Sequence, residues 1–273
     1  MSPTNQCRPD AVDIQHLTHG GSLAMRLVGP EQDTATVLLR GAQLVSWVNA
    51  QGREMLHSGP FPWGSAYRLR RGGLSLVFPH PEVCGPVSYL RLAQDMDWRV
   101  HDAWFHCGVP HLSLRLSSRA PHPQAWPHVF DCFFEVALEA SSLRMSLRVV
   151  NLGAHEMAFR AAMQPCFRLA TSPAQAAPGL GTPASVWAAP TSAGKLVLPG
   201  AEGRLEMLAT GFQELSVWTP WLHRERGAQT PARSDTSGLV CVDLASARPS
   251  VPLAPGEQWQ GAQQLCWRVQ AAD

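Results

Sequence analysis

Val129-Phe130-Asp131-Cys132-Phe133-Phe134-Glu135-Val136-Ala137-Leu138-Glu139-Ala140-Ser141-Ser142-Leu143-Arg144-Met145-Ser146-Leu147-Arg148-Val149 is the stretch on which the fold class turns. Leu143, Met145, Leu147 and Val149 alternate with Arg144, Ser146 and Arg148, the period of two expected of a strand with one buried face. The stretch reads as two strands, 129–139 and 142–149. Working outward, similar short runs bounded by Gly, Pro, Ser or Asn occur at 23–27, 36–39, 43–48, 97–101, 112–116, 158–163, 195–198, 214–218, 239–244 and 261–269. Helical periodicity is hard to find. The pattern predicts an all-β chain, a large two-sheet β-sandwich forming a single domain over 1–273.

The composition supports one folded unit. Hydrophobic residues make up 45% and charged residues 16% of 273, ample for a buried core. Lys plus Arg number 22 against 21 for Asp plus Glu, with no run of like charge, so no nucleic-acid partner is expected. The first residues lack the pattern of a signal peptide, and no apolar run is long enough to span a bilayer. The expectation is a cytoplasmic monomer with no membrane partner. Seven widely spaced cysteines with no C-x-x-C pair read as reduced core thiols. Most of the 23 prolines and 22 glycines fall between the strands. The richest stretches are 118–127 and 172–190; the second reads either as an interdomain linker or, with similar strands on both sides, as a long loop of the kind that carries binding surface.

Several chemistries have no motif behind them. His101, His106 and His111 are spaced by five, so successive members along a strand point to opposite faces, which suits ordinary strand and turn histidines better than ligands converging on a metal. No G-x-S-x-G, H-E-x-x-H, P-loop or G-x-G-x-x-G string occurs. Ten tryptophans against two tyrosines leave two readings, core packing or stacking on a sugar ring. Trp221 favours stacking, because Pro220 ends the preceding strand and can turn the indole towards a cleft.

Five segments, in order, resemble the hexose-6-phosphate branch of the aldose 1-epimerase (galactose mutarotase-like) superfamily. They are Gly41-Ala42-Gln43-Leu44-Val45-Ser46-Trp47, Arg71-Gly72-Gly73-Leu74-Ser75-Leu76-Val77-Phe78-Pro79, Val217-Trp218-Thr219-Pro220-Trp221, Cys241-Val242-Asp243 and Leu253-Ala254-Pro255-Gly256-Glu257. The resemblance implies a β-sandwich with a sugar cleft on one sheet, a sugar or sugar phosphate as small-molecule partner, and proton transfer without metal or organic cofactor. Inverting an anomeric carbon needs a base for the C1 hydroxyl proton and an acid for the ring oxygen. The family uses a Glu as base and a His as acid.

This chain departs from that pattern. The base position falls on Asp243, a carboxylate one methylene shorter, and the acid position on Gln164, whose amide hydrogen-bonds but gives up no proton at neutral pH. A second histidine position falls on Leu90 or, with a one-residue gap, on Tyr89, and an arginine position on Gln94. Arg71 keeps the branch's R-G-G arginine, read either as a contact to the phosphate end of a substrate or as a solvated turn residue. The implied catalytic residues are therefore Asp243 and Gln164, with Arg71, Gln94, Tyr89 and Trp221, or Trp187, as ligand contacts. Three functions follow: a carbohydrate-binding protein with weak or lost epimerase activity, an active 1-epimerase using Asp243 as base, or a ligand-free remnant acting through a partner protein. Losses confined to chemical positions favour the first.

Overall fold

The structure is a computed structural model describing residues 13–57, 72–79, 92–118, 127–168, 194–200, 202–218, 239–246 and 250–269. Two large antiparallel sheets carry it. One has eight strands: β1 (Asp13–His19), β2 (Ser22–Val28), β3 (Thr34–Leu38), β4 (Leu44–Val48), β5 (Leu74–Val77), β11 (Ala162–Arg168), β15 (Leu239–Ala245) and β14 (Glu214–Trp218), in that spatial order. The other has seven, in the order β12 (Gly194–Gly200), β13 (Gly203–Thr210), β17 (Gln258–Val269), β9 (Ser142–Asn151), β8 (Phe130–Glu139), β7 (Val109–Ser117) and β6 (Arg99–His106). A small pair, β10 (Met157–Phe159) with β16 (Val251–Leu253), and a single helical turn, α1 (Leu92–Asp95), complete the described elements.

Alternation builds the core. Leu143, Met145, Leu147 and Val149 of β9 point inward with Phe130, Cys132, Phe134, Val136 and Leu138 of β8. They meet Met25, Leu27, Val37, Leu74, Leu76, Met163, Phe167, Val240, Val242 and Leu244 from the eight-stranded sheet in one continuous cluster. Phe78 is edge-on to Phe130 and Phe159, with ring centroids 5.2 and 5.4 Å away, a geometry that suits the ring quadrupoles.

Two of the quoted motifs are backbone devices. Gly72 and Gly73 both have left-handed φ, +63° and +72°, and a Cβ would lie 1.9 Å from the His57 carbonyl oxygen and 2.2 Å from that of Leu44. Any side chain there would force β5 away from its neighbours. Leu253-Ala254-Pro255-Gly256-Glu257 is a turn tied to Asn151, which is buried and whose Nδ2 donates to the carbonyls of His155 and Leu253 at 2.9 and 2.8 Å.

The expected strand at 158–163 is split into β10 and β11, interrupted at Arg160-Ala161. The segment expected at 97–101 lies two residues later, as β6, and β1, β5 and β13 add strands the alternation did not single out. Cysteine needs a larger correction. Cys166 and Cys241 form a disulfide and Cys107 is exposed, while Cys132 and Cys266 are buried free thiols; Cys7 and Cys84 lie outside the described residues.

Asp33, in the β2–β3 turn, is fully buried and neither carboxylate oxygen makes a hydrogen bond of normal geometry. Burial raises its pKa, and the nearby backbone amides of Asp33 and Glu31 offset this only in part. A carboxylate whose folded pKa is raised favours the fold while protonated and loses that contribution as pH rises through the folded value. Asp33→Asn is therefore expected to raise the melting temperature at pH 7, with the gain vanishing towards pH 3.8, the ordinary value for this group; calorimetry across that range checks it.

Candidate functional site

The last four strands of the eight-stranded sheet, β5, β11, β15 and the edge strand β14, present one face to the core and the other away from it. Met163 and Phe167 of β11, with Val240, Val242 and Leu244 of β15, belong to the core, so alternation turns Gln164, Cys166 and Arg168, and Cys241 and Asp243, to the outer face. Register then places these residues. Met163 pairs with Leu244 and Cys166 with Cys241, and the unbroken register between them sets Gln164 opposite Asp243. Ser75 of β5 pairs with Gln164 on one side, and Ser216 of β14 with Asp243 on the other. The two residues expected to carry the chemistry, 79 positions apart in the chain, are thus cross-strand neighbours in a row of four strands, both half-buried.

The rows on either side define the surroundings. In one direction stand Val77, Ala162 and Ala245, a small apolar cluster that keeps the floor shallow. Beside it the buried Arg160 Nη2 donates to Glu214 Oε2 at 2.9 Å, their side chains 2% and 20% exposed. In the other direction stand Cys166 and Cys241, Cα atoms 4.2 Å apart. This is the close spacing of a non-hydrogen-bonded antiparallel pair.

His57 flanks this second row. Its N–H donates to the Cys166 carbonyl at 2.8 Å, the Cys166 N–H donates to Gly73 O at 2.9 Å, and the Gly73 N–H returns to His57 O at 2.6 Å. Leu56 bridges Phe167 and is in the core, so His57 turns to the outer face. Burial first, and the charge of Arg168 second, hold its imidazole pKa below the ordinary 6.5, so it is neutral at pH 7. Sequence reading missed His57 because its segment reaches the site through a bridge and a loop rather than a recognisable strand. Arg160 and Glu214 were missed too, because 54 residues of chain separate them.

Gln94 sits elsewhere. It lies on α1, past the end of β5, where its carbonyl would be 2.8 Å from a Cβ on Gly41. Arg71, Tyr89, Leu90, Trp187 and Trp221 lie outside the described residues. Among the described residues no three His, Cys, Asp or Glu side chains are grouped to hold a metal, and no helix is long and apolar enough to cross a membrane. His106 and His111 instead make ring contacts, and Trp104 stacks on His111 at 4.9 Å.

Large antiparallel sheets with a polar row on the outer face of one of them define a β-sandwich of the galactose mutarotase-like kind, and solved structures agree. A galactose mutarotase-like protein from Clostridium acetobutylicum superposes with a TM-score of 0.68 at 12% identity, covering 95% of this chain and 99% of that one. One from Lactobacillus casei gives 0.61 at 14%, covering 94% and 100%. The aldose 1-epimerase family model matches residues 25–179, more than half of the chain, and the chain belongs to that family. A Cenchrus ciliaris protein named "Putative glucose-6-phosphate 1-epimerase" is 23% identical over 280 residues, covering 89% of this chain and 84% of that protein.

The Arg160–Glu214 pair ties the β10–β11 junction to β14, and removing one partner takes away a charge-assisted bond in a largely desolvated place. Arg160→Met is expected to cost about 3 kcal/mol in a urea melt. Arg160→Met combined with Glu214→Leu should recover most of that loss.

Proposed function

We propose that the chain binds a hexose or hexose phosphate across the Gln164–Asp243 row, with 1-epimerase activity weakened or lost. The observation that carries this reading is the cross-strand pairing of Gln164 with Asp243: an amide and a carboxylate meet on one face, where a sugar's C1 hydroxyl and ring oxygen present a donor and an acceptor. Asp243 accepts from the C1 hydroxyl. Gln164 donates an N–H to the ring oxygen but supplies no proton as the C1–O5 bond opens, which removes a general-acid contribution of roughly 10²–10⁴-fold. No metal or organic cofactor enters this chemistry.

Arg168 supports a phosphate at the far end of the ligand. It lies four residues along β11 from Gln164 on the same face, a Cα separation of about 13 Å, and a guanidinium reaches back over part of that distance. The name of the Cenchrus ciliaris relative points to the same class of ligand. Of the residues the resemblance implicates, Arg71 is assigned to the phosphate, Tyr89 and Gln94 to further ligand contacts, and Trp221 to stacking. The reading takes the whole chain as one cytoplasmic, monomeric domain.

A second reading has its own observation: His57, neutral and on the same face, stands one row from Gln164. Its imidazolium form, a minority at pH 7, can give a proton to the ring oxygen directly or through water, leaving an active epimerase with Asp243 as base.

Glucose 6-phosphate distinguishes the two. Binding is expected, with a stabilisation of roughly 2.7 kcal/mol at a hundred times the Kd, together with little acceleration of α–β anomer exchange measured by NMR. Asp243→Asn should weaken binding. Marked acceleration by the wild type, lost in Asp243→Asn and in His57→Gln, would establish the second reading instead. No thermal shift with glucose 6-phosphate or a broad panel of sugars would leave the fold as a ligand-free scaffold.

A further inference from the structure

The disulfide lies in the floor of the proposed ligand site. Cys166 and Cys241 are two residues from Gln164 and Asp243 on the same strands and the same face. The strands meet here with an incomplete ladder. Because the Cys166 N–H points to Gly73 on the β5 side, the backbone of residue 165 faces β15, and residue 165 is proline, with no N–H to donate to Val242. One ladder bond is therefore missing between the Met163–Leu244 and Phe167–Val240 pairs, directly behind Gln164 and Cys166. The sulfur bridge ties the two strands beside that gap.

Other ties also hold the sheet together here. β11 is also held by β5 and β15 by β14, and Ser246 N–H donates to Ala161 O at 2.8 Å beyond the end of the β11–β15 ladder. Cys166 is 1% and Cys241 0% exposed, and the core closes the opposite face of their strands. Reduction therefore requires local opening of the outer face, the side that a ligand would occupy.

We propose that Cys166 and Cys241 are a reversible dithiol–disulfide modification site whose oxidation state sets how firmly Gln164 and Asp243 are held opposite each other. The consequence for ligand rests on the function proposed above; the modification itself does not. The thiolate of a dithiol reductant attacks one sulfur and the other leaves as thiolate. The reductant's second thiol then displaces the mixed disulfide. The reductant is oxidised to its own disulfide, and Cys166 and Cys241 take up two electrons and two protons. The bridge no longer spans the gap, and two thiols at van der Waals separation replace it. Looser spacing of Gln164 and Asp243 at this point is expected to weaken ligand binding on the order of tenfold or more.

The test begins with the full-length protein in air, alkylated without reductant and digested. The peptides holding Cys166 and Cys241 should appear linked, and in graded dithiothreitol buffers they should open and close reversibly below the unfolding transition. Hydrogen exchange should then rise in β11 and β15 and stay unchanged in β8 and β9. Glucose 6-phosphate should slow the reduction and bind the reduced protein more weakly, and the Cys166→Ser/Cys241→Ser variant should match the reduced protein and ignore dithiothreitol. Free thiols in the aerobic protein, a bridge that opens only on unfolding, or unchanged exchange in β11 and β15 would each overturn the proposal. If glucose 6-phosphate binds neither form, the ligand assignment falls and the exchange data alone decide the modification site.

Discussion

Register between β11 and β15 is the constraint on which the rest depends. Side chains alternate with a period of two, so a slip of one residue would carry Gln164 and Asp243 into the core and Met163 and Val242 out of it. The core prevents this, because Met163, Phe167, Val240, Val242 and Leu244 all belong to the central cluster. The site's geometry is thus determined by apolar residues that never touch it. The glycines of Arg71-Gly72-Gly73 act in the same way, letting β5 come close enough to present Ser75 beside Gln164.

How much of this was legible follows from locality. The alternation over 129–149 became β8 and β9 because a strand's pattern is written in its own residues. β13 was overlooked although Leu205, Met207 and Ala209 are buried in alternation: Leu, Glu, Met and Ala favour helix in isolation, and Glu206 owes its place to Arg204 at 2.8 Å and Lys195 at 3.5 Å. β1 is a largely exposed, polar edge strand and carried no hydrophobic period. The break at Arg160-Ala161 was not legible either, since it accompanies an ion pair with a residue 54 positions away.

At the site, the identities of Gln164 and Asp243 came from resemblance, and their juxtaposition from the sheet order. Nothing in the spacing of the cysteines marks 166 and 241 as partners, because 75 residues of chain separate two strands that the topology makes adjacent. Reasoning from Cys spacing suits small disulfide scaffolds, where loops are short. In a large sandwich, adjacency is a property of the sheet order. In a reducing compartment such a bridge is more at home as a transient, redox-active pair than as a permanent staple.

A strand with one face in the core and the other in the site divides its residues between two kinds of selection. Positions 163 and 167 lie in the core, and positions 164, 166 and 168 face outward, where the proposed ligand site lies. A lineage can therefore rewrite the second set, exchanging an imidazole for an amide, without asking the first set to repack. Such a fold can lose, regain or redirect its chemistry while each intermediate along the way still folds.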